Sequence, residues 1–248
     1  MSTFTYPAPA PSRVLRLPRW SRGWAQVALF LLAYLVYSGA RYFTIGDLGD
    51  ATANAHWIVD LEDNVGVGIE GAVQTDLTGT VVLWLLNHVY LAAQLVVLPG
   101  ALWLLHRKAR PAYVRLRNTV LATWLLSIPV YALFPVAPPR LAGIGMVDTI
   151  TQQTGFAMDS SLTTSFYNEL AAVPSLHVGF AFAVGIALAS ATSNRWLKVV
   201  GHLWGPTVAL AVVATGNHYV FDIAAGMVAA AIGYGLGALV AKGTRAVG

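Results

Sequence analysis

The sequence contains no cysteine, which excludes disulfides and thiolate metal sites outright. It is also poor in charge. Only 10% of its 248 residues are Asp, Glu, Lys or Arg, against about 25% in an ordinary soluble domain. No internal repeat and no low-complexity tract breaks the chain, so it reads as one domain. What it has in excess is apolar surface: 56% of its residues are hydrophobic, gathered in long runs instead of stripes. A helix apolar all round belongs in a large core or in lipid. Several such helices in a chain of this length leave too little polar surface to coat a soluble globule, so lipid is the better reading.

Six runs approach the roughly 20 residues needed to cross the hydrocarbon layer: Trp24–Phe43, Leu83–Leu105, Asn118–Val136, Leu176–Ala191, Leu197–Val213 and Val220–Val240. The expectation is an all-α, polytopic membrane protein, a six-transmembrane-helix bundle over residues 24–241 with short surface helices in its outer loops. Residues 1–23, with Pro7, Pro9 and Pro11, read as a disordered cytoplasmic tail, and 242–248 as a second one.

Lys and Arg set the orientation. If six spans alternate, Arg13, Arg16, Arg19, Arg22, Arg107, Lys108, Arg110, Arg115, Arg117, Arg195, Lys198, Lys242 and Arg245 all share one side. That side is expected to be cytoplasmic, with both termini. All the acidic residues fall opposite, among them Asp47, Glu62, Glu70, Asp148, Glu169 and Asp222. Arg41 and Arg140 alone break the rule for bases. The basic pI therefore reports orientation, not affinity for nucleic acid. A basic arm before span one also resembles a signal-peptide n-region, with Ser38-Gly39-Ala40 as a cleavage site; cleavage would remove span one and leave the other orientations unchanged.

Two outer segments are long, about 44–82 and 137–175. The first contains an amphipathic stretch from Ala53 to Glu62, expected along the membrane surface. The second opens with Phe134-Pro135-Val136-Ala137-Pro138-Pro139-Arg140-Leu141, an extended, rigid lead that places Arg140 just outside span three. Spans five and six are joined only by Ala214-Thr215-Gly216-Asn217-His218, which holds His218 at the outer boundary.

Titratable residues gather at these outer ends. His177 stands at the mouth of span four, after Pro174-Ser175-Leu176. His218 and Asp222 open span six at a spacing of i, i+4, which puts both on one helical face. A carboxylate on one ring nitrogen fixes the tautomer and frees the other as nucleophile or base. Ionisable groups at membrane depth are costly and read as functional. The bland reading is that His218 and Asp222 simply satisfy each other, and that His177 caps a helix or faces water. Arg140, on the side that otherwise excludes bases, needs an anionic partner: an acidic loop, or a phosphate, which Arg grips bidentately.

Pro174-Ser175-Leu176-His177 resembles the Pro-Ser-Gly-His motif of the type 2 phosphatidic acid phosphatase superfamily. His218…Asp222 with Gly226 four residues on resembles that superfamily's last motif. Phe134–Arg140 and Asn217-His218-Tyr219 are similar to the branch containing fungal inositol phosphorylceramide synthase and its bacterial relatives. The resemblance covers about Arg41 to Gly226. It implies that His218 attacks phosphorus to form a phosphohistidine, Asp222 orients it, and His177 protonates the leaving alkoxide. Arg140 would hold non-bridging oxygens, with Ser175 and Asn217 as further phosphate contacts. No metal and no cofactor are implied.

The chain also departs from that pattern. Ala211-Val212 stands where the superfamily carries Ser-Arg, and Lys-x6-Arg-Pro has no clean counterpart, since Leu141 follows Arg140. Arg41 is a candidate replacement for one missing phosphate cation, or else an interfacial anchor. His88 and Tyr90, opening span two, and Tyr219 are candidate pocket residues; aromatic-belt packing is the other reading of the first two. His56 reads as a surface residue, and His106 and His202 as cytoplasmic.

The resulting expectation is a multi-pass cell-membrane enzyme with an extracytoplasmic site. It transfers a phosphoryl or phospho-head group from a membrane phospholipid or polyprenyl phosphate to an alcohol such as a polyol. Water as acceptor would make it a lipid phosphatase with the same residues. A proton-coupled transporter is a rival, but it calls for midplane charges and repeat symmetry. A catalytically inactive lipid-binding relative is another, motivated by the missing cations.

Overall fold

The computed structural model describes residues 19–44, 46–158, 160, 164 and 168–246. The tail over residues 1–18 and the side chain of Arg41 lie outside the described residues. Among those described, the regular structure is helical; the β pairing is an isolated parallel bridge between Val136 and Ala171.

Ten α-helices follow in order: α1 Arg19–Thr44, α2 Leu48–Val65, α3 Glu70–Leu77, α4 Val81–Ala92, α5 Leu98–Lys108, α6 Arg110–Leu133, α7 Thr149–Thr154, α8 Leu176–Ser190, α9 Arg195–Ala214 and α10 Val220–Ala246. A π-turn at Ala93–Val97 joins α4 to α5 without a break. Each expected span coincides with a helix, but among the described residues four stretches are both long and apolar enough to cross a membrane: Gly23–Ala40, Val81–Lys108, Arg195–Ala214 and Val220–Leu239. The other two differ for physical reasons. Helix α6 opens with Arg110, Arg115 and Arg117, which dilute its apolar run, and α8 has only 15 residues.

Local signals explain the boundaries. Asp47 caps α2 by accepting from Gly49 N at 2.7 Å, and Gly66 ends it at φ +74°, a left-handed conformation that suits glycine. Thr80 caps α4 through Leu83 N, and Asn194 caps α9 through Trp196 N. The stretch expected along the membrane surface is the centre of α2. Its buried residues are Ala51, Ala55, Ile58 and Glu62, a helical stripe in which the last position is acidic.

The bundle is packed through glycine. A Cβ at Gly185 would run into the carbonyl of Gly201, so α8 and α9 cross in backbone contact. Gly179 faces the carbonyl of Gly226 at 2.8 Å from its would-be Cβ, and a Cβ at Gly226 would collide with the carbonyl of Ser175. Helices α8 and α10 therefore touch at the very start of α8. Gly233 and Gly237 let α10 lie equally close to α6, against Thr123 and Asn118. Small residues at helix crossings are the usual means of close approach in lipid.

The crossing at residue 226 generates a prediction. Gly226→Val forces the two helices apart, with an overpacking cost of about 1–3 kcal/mol or more. The thermal midpoint of the detergent-purified protein is expected to fall by several degrees, read by size-exclusion after heating. Gly235→Ala, where a Cβ meets nothing within 4 Å, leaves it unchanged.

Candidate active site

The turn after α9 sets the position of His218. Backbone N–H groups of Asn217 and His218 both donate to the carbonyl of Val212, each at 3.1 Å, so the chain doubles back on the helix it has just left. Gly216 makes this possible at φ +73°, with the carbonyl of Val147 only 2.9 Å from where a Cβ would sit. The amide of Asn217 donates to Thr215 Oγ1 at 2.9 Å and to the Thr215 carbonyl at 3.2 Å. His218 thus sits in a buried turn two residues ahead of α10.

One helical turn on, Asp222 is wholly buried. Its Oδ2 lies 3.1 Å from His218 Nδ1 and also accepts from Tyr219 N at 3.0 Å. With Nδ1 committed to the carboxylate, Nε2 is the nitrogen left for chemistry.

The second imidazole comes from α8. Ser175 caps that helix, its Oγ accepting from Val178 N at 3.4 Å. Its own N–H donates to the carbonyl of Asp222 at 3.1 Å, which fastens the start of α8 to the start of α10. His177 follows two residues later, stacked on the ring of Tyr90 at 4.1 Å between centroids and 19° between planes. The rings of His177 and His218 are 6.1 Å apart. That is too far for a direct hydrogen bond and close enough to admit one phosphoryl group between them.

The proline-rich segment after α6 supplies the cation. Val136 N donates to Leu170 O, Ala137 N to Ala51 O, and Tyr219 Oη to Ala137 O, so the segment is tied on three sides. Arg140 N donates to Gly216 O at 2.9 Å, and its Nε to Asn217 Oδ1 at 3.1 Å. Its guanidinium is almost fully buried, with Nη2 4.0 Å from Glu169 Oε1.

These groups enclose a cavity of about 140 Å³. His177, His218, Arg140 and Asn217 line it, together with Tyr90, Gln94, Tyr131 and Glu169. Two imidazoles and a guanidinium lining one small cavity form a constellation suited to an anionic tetrahedral group. Among the described residues, no group of three or more His, Asp or Glu side chains is placed to hold a metal ion.

A family model described as the PAP2 superfamily matches residues 56–236. The chain belongs to the PAP2 superfamily. No curated protein and no solved structure matches it. Membership in this superfamily suggests phosphatase or phosphotransferase chemistry on lipid phosphates. The match begins after α1 and includes every cavity residue named above.

The other sequence candidates take different places. Ser175 is a buried helix cap and does not line the cavity. Tyr219 is buried with its hydroxyl on Ala137 O, so it braces the Arg140 segment. Tyr90 reaches the cavity, whereas His88 points to the exposed face, with Nδ1 on the carbonyl of Trp84. His56, expected at the surface, bonds the carbonyl of Ala142 instead. Ala211 and Val212, where the superfamily pattern has Ser-Arg, are buried in the apolar core, and Val212 contributes its carbonyl to the 214–218 turn.

Gln94, Tyr131 and Glu169 were not expected in the cavity. Gln94 carries a signal, an amide within a long apolar run, shared with Asn87. Tyr131 donates to Pro174 O at 3.0 Å, and Glu169 is one of 11 acidic residues; neither carries a sequence signal of its own.

An anion site of this kind is testable without substrate. Orthovanadate in excess of its dissociation constant by about 100-fold stabilises a binding protein by roughly 2.7 kcal/mol. A rise of several degrees in the thermal midpoint is expected for the wild type. Arg140→Leu is expected to abolish that rise.

Proposed function

We propose that this chain is an integral membrane enzyme that transfers a phosphoryl or phospho-head group from a lipid at the extracytoplasmic face to an alcohol, through a phosphohistidine. The observation that carries this reading is the His218–Asp222 couple facing His177 across 6.1 Å, beside buried Arg140. In this reading all six apolar helices cross the membrane, and the basic loops put both termini in the cytoplasm.

The chemistry follows from the geometry. His218 Nε2 attacks the phosphorus, forming an N–P bond as the bond from phosphorus to the lipid oxygen breaks. Asp222 holds Nδ1 and stabilises the charge that develops on the ring. His177 gives its proton to the departing alkoxide, and in the second half-reaction it takes one from the incoming hydroxyl. Arg140, braced by Asn217, neutralises non-bridging oxygens, the contribution that dominates phosphoryl transfer. Fixing these groups on α8 and α10 provides them already oriented.

The acceptor is proposed to be a polyol-type alcohol. The segment Ala137-Pro138-Pro139-Arg140 and the run Asn217-His218-Tyr219 favour the transferase branch. The cavity wall agrees, since Gln94, Glu169 and the tyrosines offer hydrogen-bond partners to a hydroxylated molecule. Tyr90, stacked on His177, keeps that ring in register for either acceptor.

The test uses purified protein in mixed micelles with labelled phospholipid donors, with and without a polyol. Wild type is expected to form an acid-labile, base-stable phosphoprotein and to transfer the label to the polyol; release of inorganic phosphate instead would assign water as acceptor. His218→Ala is expected to lose turnover by about 10⁴-fold or more, and Asp222→Asn by about 10²–10⁴-fold. A wild type that yields neither labelled protein nor product from any lipid phosphate overturns the reading.

A further inference from the structure

The first turn of α10 is bound by more carboxyl groups than the His218 couple requires. A helix start leaves its leading N–H groups without partners inside the helix. Here three successive ones go to three acidic side chains. Tyr219 N donates to Asp222 Oδ2 at 3.0 Å, Val220 N to Glu70 Oε1 at 2.7 Å, and Phe221 N to Glu62 Oε1. Glu70 comes from α3 and Glu62 from α2, so three separate stretches of chain meet at one helix end.

Both glutamates are buried, Glu62 at 2% exposure and Glu70 at 6%. They accept from adjacent N–H groups, Val220 and Phe221, so the two carboxyls are brought together at one helix end, and Glu70 helps to raise the Glu62 carboxyl. Two buried carboxylates held side by side without a cation oppose a second ionisation, which favours one retained proton between them. The titratable groups facing the pair are Asp222 and Tyr219 at the start of α10. Neither offers a positive charge. Neither glutamate lines the cavity, so neither touches substrate.

We propose that Glu62 and Glu70 are a positioning pair: two buried carboxyls sharing one proton that seat the first turn of α10 and so hold His218 and Asp222 in line with His177. The catalytic half of this inference rests on His218 being the nucleophile; the structural half does not. With one shared proton the pair is a single negative charge bonded to two N–H groups at the positive end of a helix, a favourable arrangement. Losing that proton leaves two anions beside the Asp222 carboxylate. The helix start is then pushed away from α2 and α3, and the nucleophile moves with it.

The sign of the pH effect follows from Glu62. Burial raises its acid dissociation from 4.5 to about 8, helped by Glu70 and Asp222 and opposed by the Phe221 N–H. A group raised in this way stabilises the fold fully at pH below its ordinary value. That contribution shrinks as pH climbs and is gone once pH passes about 8.

Glu62→Gln separates the possibilities, because an amide donates to Glu70 and accepts from Phe221 N, as the protonated acid does. Thermal midpoints are measured from pH 5 to 9.5 in detergent, alongside kcat and KM. The wild-type midpoint is expected to fall relative to that of Glu62→Gln up to about pH 8 and then run parallel to it. Glu62→Gln is expected to keep kcat within about threefold and to lose the alkaline decline near pH 8, whereas Glu62→Ala lowers kcat about 10- to 100-fold with little change in KM. Equal loss in the Gln and Ala variants, or parallel melting curves for wild type and Glu62→Gln over the whole range, overturns the pair. If the wild type shows no turnover, the proposed reaction is wrong, yet the melting comparison still decides whether the proton is shared.

Discussion

The two helices that carry the imidazoles meet backbone to backbone, and that contact governs everything around it. A side chain at residue 226 would occupy the space of the Ser175 carbonyl. Because glycine stands there, Ser175 N reaches the carbonyl of Asp222, and one hydrogen bond locks the start of α8 to the first turn of α10. His177 and His218 inherit their separation from this joint. In a bilayer there is no hydrophobic force between helices, so close van der Waals fit and such interhelical hydrogen bonds carry the association.

Around that joint the polar groups are arranged by sign. Carboxyl groups surround the first turn of α10 on its outer flank, where backbone N–H groups await them. The guanidinium of Arg140 sits on the cavity flank, held to the Gly216–Asn217 turn and near Glu169. The imidazole of His218 lies between the two, with an anion on one nitrogen and a cationic neighbourhood beyond the other. Burial makes each of these interactions stronger than it would be in water, and an unmatched member correspondingly expensive. A small buried polar island in an apolar bundle is stable only when its charges nearly cancel.

Much of this was legible in the sequence. The i, i+4 spacing of His218 and Asp222, the short 214–218 connection and the Ser175-Leu176-His177 helix start depend on local geometry, which a linear reading reaches. Charge placement reported the helices because long apolar runs between basic clusters have few other uses. The number of crossings was harder. Arg110, Arg115 and Arg117 lie inside α6 as it is folded, and apolar content does not reveal where a helix leaves the hydrocarbon. Glu62 shows the other kind of failure. It reads as one more acid of the outer side, yet it ends the buried stripe of Ala51, Ala55 and Ile58, with partners 8 and 159 residues along the chain. His88 and Tyr90, two residues apart on a helix, could not both face one cavity, and only the fold decides between them. Arg41 lies beyond what the described side chains address.

The π-turn at Ala93–Val97 gives the second long helix a divided allegiance. One surplus residue in a helix rotates everything after it by about 100°. The N-terminal half, through Leu83, Leu86 and Tyr90, belongs to the core shared with α9, and Tyr90 stacks on the His177 ring. The C-terminal half, through Ala101 and Leu105, belongs to the core shared with α6 and α8. One rod is thereby keyed to two locks set at different bearings. Substitutions that reshape the cavity can accumulate on one side of the turn without disturbing the footing on the other, so the cavity is free to diverge while the foundation stays put.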